Sequence, residues 1–217
     1  QKFNEIVADL RTNANQSGQE TFLSLYTFHS NSTLRICQSN INRVTGLSRN
    51  DYTTLGSSTA LLDAAGEAVA YGKSLPDSPN TSFLLLILTD GIENDSKIYT
   101  ERSLNKLLSE VDSTGKWTIT FQVPPGNKNR ICASLGLHPD NVREWEISDK
   151  GVEDVRESMT SGFTSYFNAR GKGLKSVKNF YVTTDLSNLK KKDINKLEDV
   201  TGDFKTFSVP KEMQIRD

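Results

Sequence analysis

Thr59 and Asp90 carry the oxygen atoms that are best placed in this sequence to bind a metal ion. Thr59 closes the polar segment 56–59 just before a helical pattern, and Asp90 comes two positions after the apolar run 83–88. Mg²⁺ prefers oxygen ligands in near-octahedral geometry and keeps several waters. A neutral hydroxyl and a charged carboxylate at these positions therefore predict a site for a hard divalent cation.

Other polar or small residues near these two are candidates for binding the ion's waters or setting the charge around it: Ser57, Ser58, Asp63, Gly91 and Glu93. Asp63 lies one helical turn after Thr59, but a solvated acid on a helix is an equally good interpretation. Glu93 is expected to shape the local charge rather than to bind the ion. Thr59 and Asp90 have simpler interpretations as well, a helix N-cap and an Asx turn.

The elements that would position these residues alternate between helix and strand. Apolar residues recur at helical spacing in segments 3–10, 60–72, 100–111 and 152–167. Strand patterns cover segments 20–29, 32–37, 83–88, 117–123 and 141–147. This alternation predicts an α/β fold with a doubly wound, mainly parallel sheet and helices on both faces. Ligands bind beyond the carboxyl ends of the strands in such sheets, where loops 56–59 and 89–94 are expected.

The composition changes after residue 170, where lysine becomes frequent. Strand patterns at 180–183 and 204–209 flank a helical pattern at 187–200. The sequence therefore predicts a domain over residues 1–170 and a small basic strand–helix–strand appendage over 171–217. Lys190, Lys191 and Lys192 are expected to form a solvated helix face, with a weak phosphate-binding patch as the alternative.

Two segments of the chain resemble ligand loops of von Willebrand factor type A domains. Residues 56–64 read Gly-Ser-Ser-Thr-Ala-Leu-Leu-Asp-Ala, like the family's second metal-ligand loop, with its Thr just before a helix. Residues 86–91 read Leu-Ile-Leu-Thr-Asp-Gly, like the third. The resemblance covers about residues 1–168 in element order. It implies a metal-ion-dependent adhesion site, with Mg²⁺ (or Mn²⁺ or Ca²⁺) on Thr59 and Asp90, that binds an exposed Asp or Glu of a partner protein.

The family's first ligand loop, Asp-x-Ser-x-Ser, does not occur in this sequence. In the family that loop ends the central strand, just before the first helix, and this sequence begins at a helical pattern. We therefore expect an incomplete site that binds its cation weakly, a sheet whose two innermost remaining strands have unpaired edges, and a chain that is part of a longer protein.

Two alternatives to a non-catalytic interaction module remain. The first is a structural assembly component that keeps the scaffold without the metal. The second is a metal-dependent hydrolase or phosphotransferase with Asp90 as a ligand, but no nucleophile or general base is apparent near that residue. The protein is therefore expected not to be an enzyme.

Charge and hydropathy exclude other classes of protein. The 26 basic and 27 acidic residues give a net charge of −1, which disfavours a general nucleic-acid binder. The apolar run 83–88 is far shorter than the roughly 20 residues needed to cross a bilayer. With no signal peptide visible, a cytoplasmic location without a membrane span is expected.

Overall fold

The structure is a computed structural model, and it describes residues 2–48 and 58–182. The helices in these residues are α1 (Lys2–Gln16), α2 (Leu61–Ser74), α3 (Glu101–Asp112), α4 (Lys128–Leu135) and α5 (Asp149–Gly171). The strands are β1 (Phe22–Phe28), β2 (Ser32–Asn40), β3 (Phe83–Leu88), β4 (Trp117–Val123) and β5 (Val142–Glu144). The chain is thus of mixed α/β type.

Three of these strands form a parallel sheet in the order β3-β4-β5. Phe83 lies opposite Trp117, and Phe121 lies opposite Val142. Every residue of the central strand β4 is buried. The parallel sheet predicted from the alternation of helices and strands is therefore present, although among the described residues it has only three strands.

The other two strands, β1 and β2, form a separate antiparallel sheet. Phe22 lies opposite Asn40 and Phe28 opposite Ser32. A β-bulge between Leu23 and Tyr26 shifts the register. The prediction of a mainly parallel sheet thus omitted an antiparallel pair, because strand patterns do not reveal which strands are partners.

Helices flank the parallel sheet on both faces. The side chains of β3 alternate between two hydrophobic cores, as the twofold repeat of a strand requires. One core contains Ile87 and is built with α2, α3 and α4. Leu84 and Leu86 pack against the other core, which is built from α1 and α5. The parallel sheet is therefore covered by helices on both faces.

β3 is much less buried than its sequence suggests. It is apolar throughout, yet Ile87 is its only fully buried residue, and Leu88 is 40% exposed. A cavity of about 1860 Å³ opens between β3 and β1, and helices α1, α2 and α5 also line it. We call this cavity the β1–β3 groove. β3 is only partly buried because the strand borders the groove.

The segment after α5 does not form the predicted strand. Residues 180–182 lie in a turn, in which the Val182 N–H donates to the Asn179 carbonyl at 3.1 Å. Phe180 is buried against Phe163, edge to face. Contacts group residues 1–184 into one compact unit, so this part of the expected appendage packs with the body of the protein. The remaining predicted elements of the appendage, with Lys190, Lys191 and Lys192, lie outside the described residues.

Local sequence signals explain where the helices begin. Thr100 caps α3, and it exchanges hydrogen bonds with Ser103 in a capping box. Ser148 caps α5 through the Gly151 N–H. No helix in residues 2–48 and 58–182 combines the length and the apolar character that crossing a membrane requires.

Candidate functional site

The loop after β3 is joined to the start of α2 by a reciprocal pair of hydrogen bonds. The Thr59 N–H donates to Asn94 Oδ1 at 2.7 Å, and the Asn94 N–H donates to the Thr59 carbonyl at 3.1 Å. Gly91 lies directly against the Thr59 hydroxyl, so closely that an added Cβ would overlap it. Thr59 and Asp90 therefore stand at the same rim of the β1–β3 groove, which both residues line.

Thr89 gives the turn at the end of β3 its shape. Its hydroxyl donates to the Gly91 carbonyl at 3.0 Å and accepts from the Gly91 N–H at 3.1 Å. The Trp145 indole N–H donates to the Thr89 carbonyl at 2.9 Å. Thr89 is buried while Asp90 is exposed. Thr89, rather than an Asx turn at Asp90, thus closes the turn and leaves the Asp90 carboxylate facing solvent.

The beginning of α2 receives its hydrogen-bond acceptors from the loop after β3. Ala60 is the N-cap residue and has no side chain that can cap the helix. Glu93 Oε2 accepts from the Leu62 N–H at 3.0 Å, and Ser96 Oγ accepts from the N–H groups of Leu62 and Asp63 at 3.1 Å. Thr59 is therefore not the N-cap residue of α2. The first N–H groups of the helix are capped instead by a loop that is distant in the sequence.

The Glu93 carboxylate also organises its own loop. Its Oε1 accepts from the Asp95 N–H at 3.0 Å and from the Ser96 N–H at 2.8 Å, while Oε2 accepts from the Ser96 hydroxyl at 2.8 Å. The Glu93 carboxylate therefore has a structural role within its loop, in addition to its negative charge near the rim.

Asp63 is buried and binds the backbone of the same loop. Its carboxylate accepts from the N–H groups of Lys97 at 2.7 Å, Ile98 at 3.0 Å and Tyr99 at 2.7 Å. Burial alone would raise the pKa of Asp63, but these hydrogen bonds outweigh it and the pKa is lowered. The interpretation of Asp63 as a solvated helix acid is wrong, because the carboxylate faces the loop and not the solvent.

The oxygen atoms left for an ion at this rim are few. Asp90 offers an exposed carboxylate, and Ser58 and Thr59 are half-buried hydroxyl residues beside it. Ser57 lies outside the described residues. An all-oxygen set of this kind suits Mg²⁺ chemically but supplies fewer than the roughly six ligands that the ion takes. Across residues 2–48 and 58–182, no three side chains of His, Cys, Asp or Glu are grouped to hold a metal.

Three residues important to this rim were missed from the sequence. Thr89, Asn94 and Ser96 shape the turn, join the loop to Thr59 and cap α2. No local pattern indicates the roles of Asn94 and Ser96, because their partners lie more than 30 positions away along the chain.

Comparisons of the chain with family models, with curated proteins and with solved structures gave no significant match. The resemblance to type A domains stays a prediction, and the function has to be inferred from the geometry of the rim.

Proposed function

We propose that the chain is a type A interaction module that binds an Asp or Glu of a partner protein through a divalent cation held by Thr59 and Asp90. One observation carries the proposal. Thr59 lies against Gly91, the neighbour of Asp90, at the carboxyl end of β3. That end of a parallel strand is where α/β sheets bind their ligands.

The doubly wound type A fold is part of this proposal. The parallel order β3-β4-β5 and the helices on both faces of the sheet support it. Thr59 and Asp90, one from each motif that resembles the family's loops, line the same groove, as the family's site would require.

Each residue has a distinct role in the proposed site. Asp90 would supply negative charge, and Thr59 a neutral oxygen. With one carboxylate, the bound ion remains electron-poor and accepts a carboxylate oxygen from outside the chain. Asp63 and Glu93 hold the loop on α2, which keeps Thr59 and Asp90 in position before any ligand arrives.

Binding of Mn²⁺, measured by electron paramagnetic resonance, tests the proposed site. We expect the chain to bind Mn²⁺ weakly, Asp90→Asn to weaken this at least tenfold, and Thr59→Val to weaken it less. Asp77→Asn, which removes an exposed carboxylate outside the groove, is the matched control and should bind like the unchanged chain. Equal Mn²⁺ binding by the unchanged chain and Asp90→Asn would contradict the proposal.

One observation favours a second candidate, a scaffold component that needs no metal. The carboxylates of Asp63 and Glu93 already hold the rim together through backbone N–H groups. If the rim serves only as scaffold, the melting temperature will be the same in Mg²⁺ and in EDTA. A Mg²⁺-dependent rise that is lost in Asp90→Asn would favour the interaction module instead.

A further inference from the structure

We propose that a surface patch where α2 packs on the antiparallel sheet binds an arginine side chain of a partner protein. The patch consists of Tyr26 of β1, Leu34 and Cys37 of β2, and Glu67 and Tyr71 of α2. We call it the tyrosine–glutamate patch. The inference goes beyond the proposed metal site and does not depend on it.

Two tyrosine rings form the centre of the patch. Tyr26 and Tyr71 pack edge to face, with ring centroids 6.2 Å apart and ring planes at 67°. The Tyr71 hydroxyl lies 3.2 Å from Cys37 Sγ, a contact that holds the end of this side chain against β2. Both tyrosines are half-buried. An edge-to-face pair leaves ring surface open, and the face of an aromatic ring attracts a cation.

Glu67 adds a carboxylate to the same side of α2. It lies one helical turn before Tyr71, and residues at this spacing project together. Its carboxylate accepts a hydrogen bond from the Ser32 hydroxyl, but within residues 2–48 and 58–182 it forms no ion pair. Burial raises the pKa of Glu67, and the charge of Asp63 raises it further. A bound cation would relieve both effects, because it favours the charged form of the carboxylate.

The basic side chains near the patch are directed elsewhere. Arg35 Nε donates to Thr27 Oγ1 at 2.9 Å. Because Thr27 and Tyr26 are neighbours in β1, their side chains point to opposite faces of the sheet. Lys73 Nζ pairs with Glu110 Oε1 at 2.6 Å. The patch therefore keeps a negative character that complements a cationic partner.

The chemistry of the patch favours guanidinium over other cations. A guanidinium is planar, so it stacks on a tyrosine ring while its N–H groups donate to a carboxylate such as Glu67. A lysine ammonium is a point charge without a planar face, and a quaternary ammonium has no N–H donor for the carboxylate. In the described part of the chain, no three side chains of His, Cys, Asp or Glu are grouped to hold a metal ion.

The patch is accessible from the β2 side of the sheet. Leu34, which lies opposite Tyr26, is 37% exposed, and Cys37 is exposed as well. Both tyrosines also line the β1–β3 groove, whereas Leu34, Cys37 and Glu67 lie outside it. Protein interfaces bury arginine and aromatic side chains together with apolar neighbours. We therefore expect the partner's arginine to be flanked by apolar residues that contact Leu34.

Peptide binding followed by NMR tests this proposal. The peptide acetyl-Gly-Leu-Arg-Leu-Gly-amide is titrated into the whole chain while the ring signals of Tyr26 and Tyr71 are recorded. Matched peptides carry lysine, or citrulline as an uncharged analogue, in place of arginine. We expect the arginine peptide to shift both ring signals and to bind at least fivefold more tightly than the lysine peptide. The citrulline peptide should shift neither signal.

Matched variants separate the roles of charge and ring. Glu67→Gln keeps the size of the side chain but removes its charge, and it should weaken binding of the arginine peptide at least fivefold. Tyr71→Leu should weaken binding as much, whereas Tyr71→Phe keeps the ring and should bind nearly as well as the original protein. Glu157→Gln, at an exposed position of α5, is the control and should bind unchanged. Urea unfolding shows that each variant is folded.

Three outcomes would overturn the proposal. The first is an equal shift of both ring signals by the arginine and citrulline peptides, because the patch would then bind apolar residues alone. The second is an equal shift by tetramethylammonium chloride at the same concentration, because the patch would then be a site for small organic cations. The third is unchanged binding of the arginine peptide by Glu67→Gln.

Discussion

Asp63 and Glu93 show how the role of a single residue depends on partners that are distant in the sequence. Both acids were predicted from their nearness to Thr59 and Asp90. The structure gives each of them three backbone N–H donors: residues 97–99 for Asp63, and for Glu93 one residue of α2 and two of its own loop. Periodicity places Asp63 on α2 correctly, but it does not show which loop that face of the helix contacts.

Replacing Asp63 with Asn should destabilise the protein by about 1–3 kcal/mol, because the amide offers one acceptor oxygen where three N–H donors bind a charged carboxylate. The free energy of unfolding in urea at pH 7 measures the loss. Glu157→Gln, at an exposed position of α5, is the control and should change it little.

The effect of Asp63→Asn should depend on pH. Since the pKa of Asp63 is lowered in the folded state, its contribution is present above the unfolded pKa of about 3.9 and is lost as the pH falls through the folded value. The stability difference between the original protein and Asp63→Asn should therefore shrink below about pH 4. A difference that stays constant between pH 7 and pH 2 would contradict the charge argument.

Replacing Gly91 with Ala should force Thr59 away from the rim, because the added methyl group would overlap the Thr59 hydroxyl. The expected cost is about 1–3 kcal/mol of overpacking, measured by urea unfolding. Gly171→Ala is the matched control, since nothing lies within 4 Å of a Cβ there. Equal stability of the two variants would show that the loop adjusts to the methyl group.

A predicted strand agrees with the structure where neighbouring residues in the sequence determine it, and differs where distant residues do. The bounds of β3 and β4 agree with the sequence patterns, because β3 is an apolar run, β4 alternates apolar and polar residues, and turn residues end both strands. The strand predicted at 141–147 is shorter, since Pro139–Asn141 form a turn of 3-10 helix and β5 ends at Glu144. The segment at 180–182 has strand-forming residues, but it pairs with none of the strands that the structure describes.

Asn141 holds the segment after α5 in place. Its Nδ2 donates to the Val177 carbonyl at 3.2 Å, and its Oδ1 accepts from the Phe180 N–H at 2.8 Å. Asn141→Ala should therefore cost about 1–3 kcal/mol and speed amide exchange at Phe180. Asn129→Ala, at an exposed position of α4, should do neither. Unchanged exchange at Phe180 in Asn141→Ala would mean that packing alone holds the segment.

At the scale of the molecule, the sequence predicted the kind of fold better than the way its strands pair. Alternating helices and strands indicated a parallel sheet between helices, and β3, β4 and β5 form one. Among the described strands, β1 pairs with β2 and β3 pairs with β4, and both β1 and β3 border the groove. The rim itself was only partly predictable, because Thr59, Thr89 and Asp90 lie in recognisable motifs whereas Asn94 and Ser96, which support the rim, do not.

The stability of the whole molecule should fall at alkaline pH because of Tyr181. Burial raises the pKa of Tyr181 to about 12, although the neighbouring Thr120 and Gln122 partly offset this. A pKa raised in the folded state means that the contribution is complete below the unfolded value of about 10 and is lost as the pH rises towards 12.

Tyr181→Phe should remove this alkaline loss, which amounts to about 2–3 kcal/mol. Urea unfolding between pH 8 and pH 11.5 measures it, with the difference at pH 8 as the baseline for the lost hydroxyl. Parallel pH profiles of the original protein and Tyr181→Phe would assign the alkaline transition to other groups.

The edges of β1 and β3 that border the groove pair with no other described strand, and this has a practical consequence. Backbone groups that can pair with one strand can pair with any other, including the same strand of a second copy, and Phe22 and Leu88 add exposed apolar surface there. Concentrated or warmed samples should therefore precipitate through intermolecular β-sheet, and expression yield should rise when the edges are protected.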